Sequence, residues 1–139
     1  MRSFFKKNSS APEGVPGTEK TVLVVDDSPT ETHIIKGIVE KGGYSVITAE
    51  DGESGVAEAK QTHPDVILMD VVMPGLNGFQ ATRQLTRAPE TADIPVILVT
   101  TKDQDTDRAW GMRQGAKDYV VKPVAAADLL QKIKSVLES

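Results

Sequence analysis

The sequence predicts an α/β fold, a single-domain doubly wound sheet of five parallel strands, on three observations. Short apolar runs recur along the chain, at Val22-Leu23-Val24-Val25, Val66-Ile67-Leu68-Met69 and Val96-Ile97-Leu98-Val99. They are too short for buried helices and lack the alternation of a half-exposed strand, so they read as strands covered on both faces. Segments of helical period separate them, and strands alternating with helices predict parallel pairing. Finally, the strands close on polar residues, Asp26-Asp27, Asp70, Thr100 and Lys122. In open α/β sheets the carboxyl ends of the strands are where ligands bind.

Residues 1–19 are rich in Ser, Pro and Gly and show neither a two-residue nor a 3.6-residue period, so a flexible tail is expected there, before a domain spanning 20–139. Thr21 to Val25 is the first strand. Ser28-Pro29-Thr30-Glu31 then carries an N-cap, a proline at the first helical position and a glutamate three residues after the cap, the pattern of a capping box. The helix starting at Pro29 has Ile34, Ile35, Ile38 and Val39 on one face and stops at Gly42-Gly43. Tyr44 to Ala49 is a strand, Asp51-Gly52 a turn, and 53–62 a short helix.

The central strand leads into Asp70. The loop Gly75-Leu76-Asn77-Gly78 has residues that tolerate positive φ, and a helix follows from about Phe79 to Arg87. Ile94 to Val99 is the fourth strand, 104–114 a helix ended by Gly115, and Asp118 to Val121 the fifth strand. Leu129, Leu130, Ile133, Val136 and Leu137 make the apolar stripe of the last helix, whose charges suit its dipole, with Asp128 early and Lys132 and Lys134 later. Right-handed crossovers leave the flavodoxin-like strand order 2-1-3-4-5 as the simplest solution.

Composition narrows the classes. The 139 residues suit one domain, and 39% hydrophobic with 26% charged residues suits a globular chain. There is no cysteine, which excludes disulfides, thiolate catalysis and Cys-ligated zinc. Nothing approaches the roughly 20 apolar residues of a membrane span, and no secretory signal opens the chain, so no membrane insertion and a cytoplasmic location are expected. The net charge of −4, with no basic cluster beyond Lys6-Lys7, argues against nucleic acid as a partner.

The predicted strand order places strands 1 and 3 side by side, so Asp26, Asp27 and Asp70 converge, with Thr100 and Lys122 on the next two strands. Taken alone, Asp70 is as consistent with a loop cap as with chemistry. In company the reading changes. Three close carboxylates repel, and a divalent cation relieves them; an all-oxygen ligand set without His or Cys favours Mg²⁺. A carboxylate nucleophile, a hydroxyl and an ammonium group at the same rim are the parts needed to accept a phosphoryl group.

These residues carry a family resemblance. Val25-Asp26-Asp27-Ser28, Leu68-Met69-Asp70 with Met73-Pro74-Gly75 and Gly78, Val99-Thr100, and Tyr119-Val120-Val121-Lys122-Pro123 resemble the receiver domain of two-component response regulators, over residues 20–138. Within it, 74–83 and 99–104 are similar to the PilH type of single-domain regulator, which belongs to a chemotaxis-like system controlling type IV pili and twitching motility. The resemblance implies that Asp70 is the phosphoacceptor, taking its phosphoryl group from a phosphohistidine on a CheA-like histidine kinase. It implies a Mg²⁺ site formed by Asp26, Asp27, Asp70 and the backbone carbonyl of Val72, and phosphoryl contacts from Thr100 and Lys122. It further implies a cis Lys122-Pro123 bond and a switch pair, Thr100 and Tyr119, in which the ring turns inward when the phosphoryl group arrives. The face of the fourth helix, fifth strand and fifth helix then changes its affinity for a protein target, in a monomer or weak dimer.

One position departs from the family pattern. Residue 72 is often polar in receivers and can orient hydrolytic water, whereas Val72 is apolar, so the lifetime of the aspartyl phosphate is expected to be set elsewhere, with Lys102 a candidate.

Rival readings are a flavodoxin-like cofactor binder and a metal-dependent phosphatase. The acids of the first loop oppose an FMN phosphate, and Val72 stands where such phosphatases place a second acid, so a regulator rather than an enzyme is expected. A receiver portion of a longer regulator is the remaining alternative. Of the other residues, Met69, Met73 and Phe79 read as packing, Trp110 as half-buried packing, and His33 and His63 as lacking ligand-spaced companions.

Overall fold

The computed structural model describes residues 19–139. The expected tail therefore lies, but for Glu19, outside the described residues. In chain order the elements are β1 (Thr21–Val25), α1 (Pro29–Lys41), β2 (Ser45–Ala49), α2 (Gly52–Thr62), β3 (Val66–Met69), α3 (Gly78–Arg87), β4 (Val96–Thr100), α4 (Asp105–Arg113), β5 (Asp118–Val121) and α5 (Ala126–Leu137). All strand pairs are parallel, in the order β2-β1-β3-β4-β5. This is the predicted doubly wound, flavodoxin-like topology.

Alternation along the buried strands sorts the core into two layers. Leu23, Val25, Ile67, Met69, Val96, Leu98 and Tyr119 point one way, against Val56 and Ala59 of α2 and Ala81 and Leu85 of α3. Val22, Val24, Val66, Leu68, Ile97, Val99 and Val120 point the other way, against Ile35 and Val39 of α1 and Leu129 and Ile133 of α5. Because both faces are covered, the strands read as continuous apolar runs rather than alternating ones.

Several boundaries differ from expectation for identifiable reasons. Asp51 is not part of a free turn: its carboxylate accepts from Ser54 N–H at 2.7 Å and caps α2, which therefore begins at Gly52. That hydrogen bond holds the Asp51 carboxyl below its ordinary pKa. β4 starts at Val96, not Ile94, because Ile94 N–H bonds back to Thr91 in a turn; it extends through Thr100. Tyr44 lies before β2, and α4 is one residue shorter at each end than the expected 104–114. Ile34 is 46% exposed, so the buried stripe of α1 is narrower than the apolar residues suggest.

The expected capping box of α1 is half formed. Ser28 Oγ accepts from Glu31 N–H at 3.2 Å, but Ser28 N–H donates to Asp26 Oδ1 at 2.9 Å, so Glu31 has no part in the reciprocal bond.

Candidate functional site

The ladder hydrogen bonds run to the tips of the strands and stop where the polar residues begin. Asp26 N–H donates to Ala49 O at 3.1 Å, Asp70 N–H to Val25 O at 2.9 Å, and Lys122 N–H to Thr100 O at 2.8 Å. Each of these backbones is thus fixed by the neighbouring strand while its side chain stands beyond the sheet. Asp26 and Asp70 are 3% and 6% exposed, and Asp27 is exposed.

The three acids converge as predicted: one carboxylate oxygen from each of Asp26, Asp27 and Asp70 lies within 4.8 Å of the others. Lys122 joins them, its Nζ 2.7 Å from Asp26 Oδ2, 3.8 Å from Asp70 Oδ2 and 3.9 Å from Glu31 Oε1. Freed from the capping box, Glu31 faces this lysine. Burial pushes the Asp70 carboxyl above its ordinary pKa; the Lys122 ammonium works against that, Asp26 adds to it, and the N–H groups of Val71 and Val72 favour the charged form. The Val71 bond is 2.8 Å long. A small hard cation fits this donor set, in which every candidate side-chain ligand is a carboxylate oxygen.

Thr100 is fully buried, its Oγ1 accepting from Lys102 N–H at 3.3 Å. The Lys122-Pro123 peptide is cis. Val72, two residues past Asp70, is 58% exposed. Met69 and Met73 are buried in the core and Phe79 packs against it, as expected of packing residues. Trp110 is 46% exposed, with the Arg113 guanidinium 5.9 Å from its ring. His33 is exposed on α1, and His63 caps the end of α2 at φ 49° with Nε2 3.2 Å from Asp93 Oδ1.

Tyr119 is 2% exposed, with its ring inward. Its hydroxyl donates to Lys102 O at 2.8 Å, and the Arg108 guanidinium stands 4.9 Å over its ring.

Two glycines support the site in ways that no local pattern conveys. Gly78, expected in the loop, opens α3, and Gly75 alone of that loop has positive φ, at 74°. Gly78 is required for a different reason: a Cβ there would collide with Asp70 O and come within 2.7 Å of Val71 Cα. Gly111 is similar, since a Cβ would collide with Leu98 Cδ1 and press on Phe79 and the Tyr119 ring at 3.4 Å. Glycine at helix spacing carries no sequence signal of such close approach.

A parallel five-stranded sheet with an acidic trio and a lysine at its carboxyl edge is the arrangement expected of a receiver domain, and the family comparison agrees. The response regulator receiver domain matches residues 22–134, and the chain belongs to that family. Protein PilH of Pseudomonas aeruginosa is 61% identical over 116 residues, covering 84% of this chain and 96% of PilH. The phosphate regulon regulator PhoB of Escherichia coli is 35% identical over 85% of this chain, which spans only 52% of PhoB.

Among solved structures, chemotaxis protein CheY4 of Vibrio cholerae superimposes with a TM-score of 0.80 at 30% identity, covering 86% of this chain and 99% of CheY4. The receiver domain of a sensor histidine kinase from Pseudomonas aeruginosa, with a magnesium ion coordinated in its active site cleft, gives 0.81 at 30% identity, covering 88% of this chain and all of that one. Receivers of this family bind Mg²⁺ in their acidic site and take phosphate from histidine kinases. No helix among the described residues is long and apolar enough to cross a membrane.

Proposed function

We propose that this chain is a phosphorylatable receiver in which Asp70 is the phosphoacceptor. The observation that carries the reading is the meeting of Asp26, Asp27 and Asp70 within 4.8 Å, with Lys122 Nζ 3.8 Å from Asp70 Oδ2. Asp26, Asp27, Asp70 and the carbonyl of Val72 would hold Mg²⁺, which when bound would offset the charge of the carboxylates and of the incoming phosphoryl oxygens. An Asp70 oxygen attacks the phosphorus of a kinase phosphohistidine; the P–O bond forms as the P–N bond breaks, and the bonding pair leaves on the imidazole.

Lys122 then pairs with the phosphoryl oxygens, and Thr100 donates its hydroxyl to them. Thr100 and Tyr119 form the switch pair, and the α4, β5 and α5 face presents the result to a protein partner. The identity with PilH over nearly its whole length supports a place in a chemotaxis-like pathway acting on type IV pili and twitching motility, with a CheA-like kinase as donor and a monomer or weak dimer as the acting form. The chain acts as a regulator whose own chemistry is limited to phosphoryl acceptance and loss.

The test uses acetyl phosphate or beryllofluoride with Mg²⁺, followed by Trp110 fluorescence. The expected result is a saturable, Mg²⁺-dependent change in the native protein and none in Asp70→Asn. A response that persists in Asp70→Asn would refute the assignment.

A further inference from the structure

Tyr119 is held from three sides. Its hydroxyl donates to Lys102 O at 2.8 Å, Arg108 Nη1 donates to its backbone carbonyl at 3.3 Å, and the same guanidinium lies 4.9 Å over the ring centroid. Gly111 lies on another side of the ring, where an added Cβ would stand 3.4 Å from Tyr119 Cδ2. Arg108 is exposed at the surface of α4, yet the residue it covers is 2% exposed. The guanidinium is therefore the outer wall of the tyrosine's pocket. An arginine in this place couples α4 to β5 by a planar cation on an aromatic face and by a hydrogen bond to main chain, which a lysine cannot reproduce together.

We infer that Arg108 is a positioning residue, a clamp on α4 that holds Tyr119 inward and thereby biases the α4–β5 face toward the arrangement that an occupied phosphoryl site favours. The second half of this inference rests on the proposed switch role of Thr100 and Tyr119. If the inward ring and the occupied phosphoryl site favour one another, a clamp on the ring raises affinity at the site, because coupling between two sites is reciprocal. Arg108 touches neither the acids nor the phosphoryl position, so its effect passes through Tyr119.

The chain has only two tyrosines. Tyr44 packs against the opposite core layer, so the two report on different faces. Replacing both with 3-fluorotyrosine gives two fluorine resonances, to be recorded for the native protein, Arg108→Ala and Arg108→Lys without phosphoryl analogue. Arg108→Ala is expected to shift or broaden the Tyr119 resonance while Tyr44 stays in place, and Arg108→Lys to fall between. Titration with beryllofluoride at saturating Mg²⁺ is then expected to show about two- to fivefold weaker binding in Arg108→Ala, the size of one cation–π contact at a surface site, with partial recovery in Arg108→Lys.

An unmoved Tyr119 resonance in Arg108→Ala overturns the clamp. A moved resonance with unchanged beryllofluoride affinity overturns its link to the switch. If native protein fails to bind beryllofluoride at all, the phosphoacceptor reading falls, while the fluorine spectra still decide whether Arg108 holds the ring.

Discussion

Lys122 reaches across from the end of β5 to Asp26 at the end of β1, Nζ to Oδ2 at 2.7 Å, with both side chains largely buried, and stands 3.8 Å from the nearer oxygen of Asp70. The lysine is thus committed first to a member of the acidic pair and only second to the proposed acceptor. Acceptance of a phosphoryl group at Asp70 requires the ammonium group to shift its closest partnership from Asp26 toward the new oxygens. Removing it leaves a buried carboxylate unpaired, and breaking a buried ion pair from one side is destabilising by about 3–5 kcal/mol. Lys122→Ala is expected to lose about 3 kcal/mol in urea unfolding with chelator present. Added Mg²⁺ should recover part of that loss, since a divalent cation takes over the neutralisation of the acids; the comparison of the two midpoints checks it.

The Asp70 carboxyl has a pKa raised above 3.8, by burial first and by Asp26 as well, against the pull of Lys122 and the N–H groups of Val71 and Val72. A group whose folded pKa lies above its unfolded value binds protons more tightly in the folded protein. Its favourable contribution is complete below the unfolded value, near 3.8, and fades as pH rises through the folded one. At neutral pH the ionised carboxylate therefore weighs against folding. Asp70→Asn keeps the acceptor oxygen for Val71 N–H and removes the charge. Its melting temperature at pH 7 in chelator is expected to exceed the native one by about 3 °C, the shift roughly 1 kcal/mol produces in a domain of this size. The difference should shrink toward pH 4, and Mg²⁺ should stabilise the native protein more than the variant. Thermal melts at the two pH values, with and without Mg²⁺, check both signs.

Two helical glycines are expected to respond oppositely to alanine. At Gly78 the added methyl meets Asp70 O and Val71 Cα, backbone atoms that cannot move without displacing the proposed acceptor, so Gly78→Ala should cost about 2–3 kcal/mol and slow phosphorylation. At Gly37, inside α1, a Cβ finds nothing within 4 Å, and alanine is the better helix former, so Gly37→Ala should gain about 0.5–1 kcal/mol and leave phosphorylation unchanged. Unfolding midpoints and acetyl phosphate labelling of the two variants separate the cases.

The contrast between those glycines also marks what the sequence could convey. Apolar runs of four identify three of the strands, because burial on both faces forces continuous apolar residues, and right-handed crossovers give the order that brings Asp26, Asp27 and Asp70 together. What escaped were relationships between segments that share no pattern. Gly78 looked like a loop glycine because nothing local reveals that Asp70 O passes beside it. Ser28-Pro29-Thr30-Glu31 looked like a full capping box because the competing acceptor for Ser28 N–H, Asp26, belongs to the site rather than the helix. Arg108 is one charge among several on α4, and only the fold lays it over Tyr119.

Val72 follows Asp70 by two residues and is exposed to solvent, at 58%. An isopropyl group there offers no hydrogen bond to align hydrolytic water, whereas a carboxamide of similar size would offer a donor and an acceptor. Positioning a nucleophile in this way lowers the barrier without changing the electrophile. Val72→Asn is therefore expected to speed loss of the phosphoryl group severalfold while leaving stability within about 0.5 kcal/mol, as for most exposed substitutions. Decay of labelled Asp70 after removal of acetyl phosphate measures the first and urea unfolding the second. Unchanged or slower decay would remove the side chain at 72 as a control on lifetime and turn attention to Lys102, whose Nζ pairs with Asp107 at 3.6 Å and whose main chain is bonded to both Thr100 and Tyr119.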